Sequence, residues 1–257
     1  MKSCLYQAFT LARVSNLPTV WTNVLAAWAI NATASSTFKI MPEVCDFAFF
    51  DWNTFVYLLI GSSLIYAGGC TLNDAFDQDF DQTHNPKRPL PSGSISAQTV
   101  WILGSLELIL GGIFLVMAAG CEKTWVFALI ASVLFYDYIH KKWAGGIIIM
   151  GGCRFFLWLV AATAAGKSEL APQSLIWASV LASYIIGISW FARGESRKKT
   201  EPVQYSIILL FSTPLMALAL LVYWNQLDPI RVFLCNLTGL LVAWIAFSSI
   251  LLMREEK

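Results

Sequence analysis

The sequence predicts an all-helical membrane protein, a bundle of about eight transmembrane helices, with counts of seven or nine left open. Of its 257 residues, 57% are hydrophobic and 13% are charged, whereas a soluble domain carries about a quarter charged residues. Most of the surface must therefore face lipid. The net charge of +1 and the six cysteines without paired spacing exclude a nucleic-acid binder, a disordered chain and a disulfide scaffold.

Eight apolar segments have the length needed to cross a bilayer, about 20 helical residues for a hydrocarbon core of about 30 Å. The segments are Leu17–Ala34, Asn53–Leu72, Gln98–Ala119, Thr124–Ile139, Gly145–Ala165, Pro172–Phe191, Val203–Tyr223 and Ile230–Met253. Backbone groups in lipid must be hydrogen-bonded within the protein, and these lengths suit helices rather than barrel strands. Met1–Asn16 contains no acidic residue and is expected to form an amphipathic helix on the membrane surface.

The distribution of Lys and Arg predicts the orientation. Twelve of these residues fall in one set of alternating loops, four in the other, and Arg154 lies inside a span. Positive charges accumulate in cytoplasmic loops, so both termini are expected in the cytoplasm, with a bacterial inner membrane as the location. We expect a single domain, 1–257, made of two four-span halves at about 17–139 and 145–253.

A run of acidic residues follows the second predicted span. If the helix continues, Asn73, Asp77 and Asp81 lie one turn apart and Asp74 joins their face, whereas Asp79 points away. Like charges on one face repel unless a cation lies there. Oxygen ligands of this kind suit Mg²⁺, which usually bridges to a substrate phosphate. The alternative is a solvated acidic loop.

Two neighbouring segments supply positive charge. Asn85–Pro91 contains three prolines, which are expected to keep the chain extended and to present Lys87 and Arg88 to the acidic face. The fourth span ends in Tyr136–Lys142, which is rich in aromatic and charged residues. This stretch is either an interfacial belt alone or a belt that also forms part of a binding site. Its embedded Asp137 favours the second interpretation.

The acidic motif, Asn-Asp-x-x-Asp-x-x-x-Asp, is followed by His-Asn-Pro-x-Arg-Pro-Leu-Pro-Ser-Gly. It closely resembles the first aspartate-rich motif of the UbiA superfamily of intramembrane prenyltransferases. The resemblance implies a helical bundle around a central cavity that opens to lipid. It also implies Mg²⁺-dependent transfer of an isoprenoid chain from its diphosphate to an acceptor. Asn73, Asp77 and Asp81 would then hold the metal and the diphosphate, supported by Asp74.

In this family a Tyr and a Lys near the end of the fourth span contact the diphosphate. Tyr138 and Lys142 have the Tyr-x-x-x-Lys spacing, whereas Tyr136 and Lys141 are five positions apart. Both pairs are therefore candidates for binding the diphosphate.

Two charged residues lie inside predicted spans. Glu107 and Arg154 are each about ten residues into a span, which places them about 15 Å deep. Charges within a membrane usually face a cavity or one another. We therefore expect a Glu107–Arg154 ion pair that lines the acceptor pocket, with a purely structural pair as the alternative.

The family also carries a second aspartate-rich motif after the sixth span. Here the equivalent loop has only Glu195 and Glu201 as acids, against four basic residues. Either Glu195 replaces the missing carboxylates while Arg193, Arg197 and Lys198 bind phosphate directly, or the diphosphate chemistry has decayed. The Tyr-Asp, Met-Gly-x-Cys-Arg and Ala-Arg-x-Glu patterns are similar to the EboC-like proteins of bacterial gene clusters.

The leading function is therefore Mg²⁺-dependent transfer of a prenyl group. The alternative is a catalytically degenerate relative that binds or helps move an isoprenoid or lipid-like ligand. A secondary transporter is disfavoured, because the polar residues concentrate at one face of the membrane. The expected partners are an isoprenoid diphosphate, a hydrophobic acceptor and membrane lipid, with no nucleic acid. The candidate catalytic residues are Asp74, Asp77, Asp81 and Asp137.

Overall fold

The computed structural model describes residues 4–33, 51–166, 170, 172–196 and 203–225. These ranges contain α1 (Cys4–Leu11), α2 (Leu17–Thr33), α3 (Trp52–Phe76), α4 (Gln78–His84), α5 (Ala97–Ile113), α6 (Lys123–Ile139), α7 (Gly146–Ala162), α8 (Pro172–Ser196) and α9 (Val203–Asn225). A 3₁₀ turn, Val14–Asn16, joins α1 to α2, and a π-helical turn, Phe114–Ala118, follows α5. The described ranges contain no β-strand, which agrees with the all-helical prediction.

Seven of the eight predicted spans coincide with helices to within a few residues. The last, Ile230–Met253, lies outside the described residues. Among the described residues, three helical stretches are long and apolar enough to cross a membrane: Trp52–Phe76, Ala97–Ala118 and Pro172–Arg193. The predicted surface segment contains α1.

Side-chain caps fix where two of the long helices begin. Asp51 accepts hydrogen bonds from the backbone N–H groups of Asn53 and Thr54, at 3.1 and 3.2 Å, at the start of α3. Ser96 accepts one from Thr99, at 3.1 Å, at the start of α5. Such caps satisfy N–H groups that have no partner within the helix.

The helices α3 and α5 pack closely through glycines. A Cβ atom on Gly68 would lie 2.9 Å from both the backbone oxygen of Gly104 and the backbone nitrogen of Leu108. A Cβ atom on Gly111 would lie 2.9 Å from the backbone oxygen of Gly61. Small residues allow backbones in membrane proteins to approach this closely. The contact therefore holds α3 against α5 along much of its length.

The bundle buries its core and exposes apolar residues on its outside. Leu58 and Leu159 are fully buried, whereas Met117 and Phe127 are 79% and 74% exposed. Large exposed apolar surfaces are unusual on soluble proteins. This pattern fits helices whose outer faces contact lipid.

The connection after α4 is not extended, so that prediction is wrong. The N–H of Arg88 donates to the oxygen of Asn85, and the N–H of Ser92 donates to the oxygen of Arg88, both at 3.0 Å. Proline fixes φ near −65°, which suits turns as well as extended chain. The successive turns bring Arg88 back toward the end of α3.

We expect Gly68→Ala to destabilise the folded protein by about 1–3 kcal/mol, because the new Cβ would press on backbone atoms that cannot rotate away. Thermal unfolding of the purified protein in detergent measures the change. Gly152→Ala is the matched control, since nothing lies within 4 Å of a Cβ there and Ala favours helix over Gly. Equal losses in the two variants would contradict close α3–α5 packing.

Candidate active site

The acidic motif lies at the junction of α3 and α4. Asp77 separates the two helices, with φ −87° and ψ 4°. The helical hydrogen bonds nevertheless continue, because the N–H of Asp77 donates to the oxygen of Asn73 at 2.9 Å and that of Asp81 to Asp77 at 2.8 Å. These three residues therefore share one face, whereas Asp79 is exposed.

The residues of this face are buried. Asn73, Asp74, Asp77 and Asp81 are between 0% and 6% exposed. A solvated loop would leave these side chains in water, so that alternative is wrong. Burying carboxylates is costly unless they are paired and hydrogen-bonded. The structure supplies partners for all three carboxylates of this face.

Two arginines neutralise one half of the motif. Asp74 Oδ1 accepts hydrogen bonds from Arg13 at 3.0 Å and from Arg88 at 3.2 Å. Arg88 also donates to Asp81 Oδ2 at 2.5 Å, and Arg13 donates to Asn73 Oδ1 at 3.0 Å. Arg88 therefore bridges two carboxylates, and Arg13 ties the chain before α2 to the end of α3.

The end of α6 neutralises the other half. Asp77 Oδ2 lies 3.2 Å from His140 Nε2 and 3.4 Å from Lys141 Nζ. The same Lys141 ammonium lies 4.1 Å from the centre of the Phe80 ring, and the Tyr136 ring stacks on His140 at 4.8 Å. The predicted second cluster is thus part of the site and not an interfacial belt alone.

Asp137 joins the site with one oxygen still unpaired. Asn73 Nδ2 donates to Asp137 Oδ1 at 3.1 Å. The side chain is 4% exposed, and its Oδ2 atom has no hydrogen-bond partner in the described part of the chain. Because a buried acceptor without a partner is unfavourable, this oxygen is a candidate for contact with a ligand.

We call the residues assembled here the acidic cluster: Asn73, Asp74, Asp77, Asp81 and Asp137. Three of its four carboxylates, those of Asp74, Asp77 and Asp81, contact the permanent cations Arg13, Arg88 and Lys141 and the imidazole of His140. The three permanent positive charges balance these three carboxylates. The cluster is thus close to neutral as it stands.

Three further residues are predicted to bind the diphosphate. Tyr138 is 57% exposed, Lys142 Nζ lies 4.0 Å from the centre of its ring, and Lys87 is exposed. Diphosphate binding by these three residues stays a prediction, whereas Tyr136 and Lys141 lie at the cluster through His140 and Asp77. Each helical residue is rotated by about 100° from the previous one, so neighbours face different directions.

The loop predicted to replace the second motif is described only in part. Arg193 donates to backbone oxygens of the α6–α7 connection, including that of Ala144 at 2.9 Å. These bonds tie the end of α8 to that connection. Glu195 lies in the last turn of α8, but its side chain lies outside the description, as do Arg197 and Lys198. Their roles stay predictions.

The predicted Glu107–Arg154 ion pair is wrong. Glu107 accepts a hydrogen bond from Thr71 of α3 at 2.9 Å, and Arg154 donates to Thr19 of α2 at 2.9 and 3.2 Å. The helix α5 packs mainly on α3, whereas α7 packs on α2, α6 and α8. The two charged residues therefore face different helix interfaces.

Arg13 and His140 are residues of the site that the sequence did not indicate. Arg13 has left-handed backbone angles, φ 45° and ψ 48°, which are uncommon outside glycine, and its partners are 60 and 61 positions away. No local pattern predicts that contact. His140 lies three residues after Asp137, on the same helical face, so its spacing could have selected it.

The donor set of the acidic cluster fits a hard divalent cation such as Mg²⁺. Its donors are carboxylate and amide oxygens, and Asp137 Oδ2 lacks a partner among the described residues. Within those residues no three His, Cys, Asp or Glu side chains are arranged to hold a metal unaided. Such a group is not required, because Mg²⁺ is usually held by one or two carboxylates with substrate phosphates and water.

The comparison with known families decides the class of protein. Residues 45–257 match the UbiA prenyltransferase family. The chain belongs to this family. It is therefore an integral membrane protein, in agreement with its apolar helices.

Curated relatives match part of the chain. A protoheme IX farnesyltransferase from Francisella tularensis subsp. holarctica is 36% identical over 102 residues, which are 36% of this chain and 36% of that protein. A digeranylgeranylglyceryl phosphate synthase from Sulfolobus acidocaldarius is 34% identical over 118 residues, 46% of this chain and 41% of that protein. The matches span less than half the length of these relatives.

Solved structures match almost the whole chain. A structure of digeranylgeranylglyceryl phosphate synthase superposes with a TM-score of 0.63 at 21% identity, covering 91% of this chain and 84% of that one. A UbiA homolog from Archaeoglobus fulgidus bound to DMAPP and Mg²⁺ gives 0.58 at 18% identity, covering 95% and 86%. At these identities the likeness shows the fold.

We expect Arg88→Ala to lower the free energy of unfolding by about 1–3 kcal/mol, because two buried carboxylates lose a charged partner. The loss is smaller than for a fully buried pair because Arg88 is 35% exposed. Chemical denaturation in detergent measures it. The neighbouring Lys87→Ala is the control, and as an exposed substitution it should change stability by about 0.5 kcal/mol or less. Similar losses in both variants would contradict the network.

Proposed function

We propose that the protein is an enzyme that uses Mg²⁺ to transfer a prenyl group from an isoprenoid diphosphate to a hydrophobic acceptor within the membrane. The observation that carries this proposal is a buried acidic cluster, faced by cations, in a UbiA family chain. Relatives named protoheme IX farnesyltransferase, digeranylgeranylglyceryl phosphate synthase and 4-hydroxybenzoate octaprenyltransferase support it. So does the structural neighbour bound to DMAPP and Mg²⁺.

We assign the metal site to Asn73, Asp77 and Asp81, with Glu195 as a further candidate ligand. Bound Mg²⁺ would supply positive charge that stabilises the departing diphosphate. Asp74 holds Arg13 and Arg88 in place through Oδ1. It therefore acts as a positioning residue rather than as the base that takes a proton.

The cations that neutralise the cluster are well placed to bind the diphosphate. Arg88 has five N–H donors, so it can contact phosphate oxygens while it still holds a carboxylate. Lys141 contacts Asp77 from the end of α6, and the Tyr136 ring stacks on His140 beside it. Fixed donors of this kind stabilise charge that develops as the C–O bond breaks. Arg193, Arg197 and Lys198 remain candidates on the second loop.

The acceptor would react on the apolar side of the cluster. Phe155 and Phe156 pack on the buried core, with ring centres 5.4 Å apart. Such rings exclude water from an allylic cation, and each can stabilise it by about 0.5–2 kcal/mol. The unpaired oxygen of Asp137 is our candidate for the group that takes the proton released by the acceptor.

We also propose that about eight helices cross a bacterial inner membrane, with both termini in the cytoplasm. The asymmetric distribution of Lys and Arg supports this orientation. The acidic cluster then faces the cytoplasm, where soluble isoprenoid diphosphates and Mg²⁺ are available.

One observation favours the alternative, a catalytically degenerate protein that binds or helps move an isoprenoid or lipid-like ligand. The second loop is poor in acids, and its Arg193 bonds to backbone oxygens. A second metal site of the family kind would then be absent, and the first would serve binding alone.

We expect membranes containing the protein to release diphosphate from one of a panel of radiolabelled prenyl diphosphates when a panel of aromatic and lipid acceptors and Mg²⁺ are present. Asp77→Ala should reduce the rate at least about 100-fold, because it removes charge that organises the leaving group. Asp79→Ala, an exposed acid two residues away, is the matched control and should stay within about threefold.

Chelation of Mg²⁺ with EDTA should stop the release, and Mg²⁺ added back should restore it. If no donor is consumed with any acceptor, the binding alternative is favoured. If Asp77→Ala and Asp79→Ala behave alike, the assigned site is wrong.

A further inference from the structure

Arg154 is a cation in the interior of α7 that has no acidic partner in the part of the chain that the structure describes. Its guanidinium donates to the backbone oxygen and to Oγ1 of Thr19, at 3.2 and 2.9 Å. No carboxylate of the described residues lies within ion-pair distance of it, whereas Arg13 and Arg88 both contact Asp74. Bonds to the described residues use two of its five N–H groups, which leaves three for another acceptor.

Two buried polar atoms beside it also lack partners. Asn23 lies one turn after Thr19 on α2, and Trp158 lies one turn after Arg154 on α7. Their side chains are 6% and 5% exposed. Within the described residues, Asn23 Oδ1 and Trp158 Nε1 make no hydrogen bond, while Asn23 Nδ2 reaches the backbone oxygen of Arg154 at 3.5 Å.

We call these residues the α2–α7 polar seam: Thr19, Asn23, Arg154 and Trp158. Arg154 and the indole N–H of Trp158 can donate to an anion. Asn23 Oδ1 can accept a hydrogen bond from a donor group. Buried polar groups are normally hydrogen-bonded. Among the described residues, Asn23 Oδ1 and Trp158 Nε1 are unpaired on adjacent helices, and Arg154 has no counter-ion. Together these groups indicate a binding site rather than packing.

The seam lies at the end of the bundle that carries the acidic cluster. Arg154 is eight residues into α7, about 12 Å along the helix, but its guanidinium reaches back to the first turn of α2. Arg13, four residues before α2, contacts Asn73 and Asp74. A group bound at the seam would therefore lie near the same end as a diphosphate at the cluster.

We propose that the α2–α7 polar seam binds an oxyanion of the prenyl acceptor, a carboxylate or a phosphate. The proposal rests on the proposed function, because an acceptor exists only if prenyl transfer occurs. Arg154 and the indole N–H of Trp158 donate to the anion, and Asn23 Oδ1 accepts from a hydroxyl or amino group of the same molecule. In this proposal the anion that pairs with Arg154 belongs to the substrate, and not to Glu107 as the sequence predicted.

The test is direct binding to the purified protein in phosphatidylcholine nanodiscs, with EDTA and without isoprenoid diphosphate. The probes are 4-octylbenzoic acid, its methyl ester and 4-octylphenyl phosphate, with empty nanodiscs as the reference for partition into lipid. We expect one of the two anions to bind about 10- to 100-fold more tightly than the ester, as suits a charge-assisted hydrogen bond in a partly buried site.

Arg154→Gln should reduce this preference to threefold or less, while Arg154→Lys should keep part of it. Trp158→Phe preserves the shape of the side chain and removes one donor, so it should weaken anion binding severalfold in a protein that still folds. Asp79→Ala is the control and should leave the preference unchanged, because this exposed acid lies outside both the acidic cluster and the seam.

Equal affinities for acid, phosphate and ester in the wild-type protein would overturn the proposal, and so would an unchanged preference in both Arg154→Gln and Trp158→Phe. Loss of anion binding in phosphatidylglycerol nanodiscs would mean that a lipid headgroup occupies the seam, which overturns its assignment to the acceptor. The diphosphate-release assay judges the proposed function separately. Anion preference without any release would reject prenyl transfer while the seam itself remains a binding site.

Discussion

Buried carboxylates require partners, and this constraint organises the polar end of the molecule. Asp74, Asp77 and Asp81 can leave water only because Arg13, Arg88 and Lys141 accompany them. Those cations come from the chain before α2, the turns after α4 and the end of α6. Four distant parts of the sequence are therefore held together by one charge network, and the glycine contact between α3 and α5 holds the helix that carries it.

Some contacts of this network could be predicted from the sequence, and others could not. Asn73, Asp77 and Asp81 share a face because helical spacing is a local property, which the backbone keeps through the break at Asp77. Arg13 could not be predicted, because its contact depends on how the first helices meet the end of α3. Prolines restrict φ but do not choose between turn and extended chain, so the direction of Arg88 was only partly predictable.

The spans were predictable from apolar length, but the rotation of each helix and its neighbours were not. Glu107 and Arg154 lie at similar distances from the starts of their predicted spans. The structure nevertheless places Glu107 against α3 and Arg154 against α2. Depth along a helix does not determine which helix lies opposite. The division into two four-span halves stays a prediction, because Ile230–Met253 lies outside the described residues.

A nearly neutral cluster gives the proposed chemistry a physical starting point. The cations pair with Asp74, Asp77 and Asp81, and a bound metal diphosphate would exchange contacts with these ions without leaving a buried charge unpaired. Electron paramagnetic resonance of Mn²⁺, added with an unreactive geranyl thiodiphosphate to the purified protein, tests this most directly. The account predicts a bound Mn²⁺ signal that requires the diphosphate and is lost in Asp77→Ala and Asp81→Ala. Mn²⁺ that remains free, or that binds equally well in these variants, would contradict it.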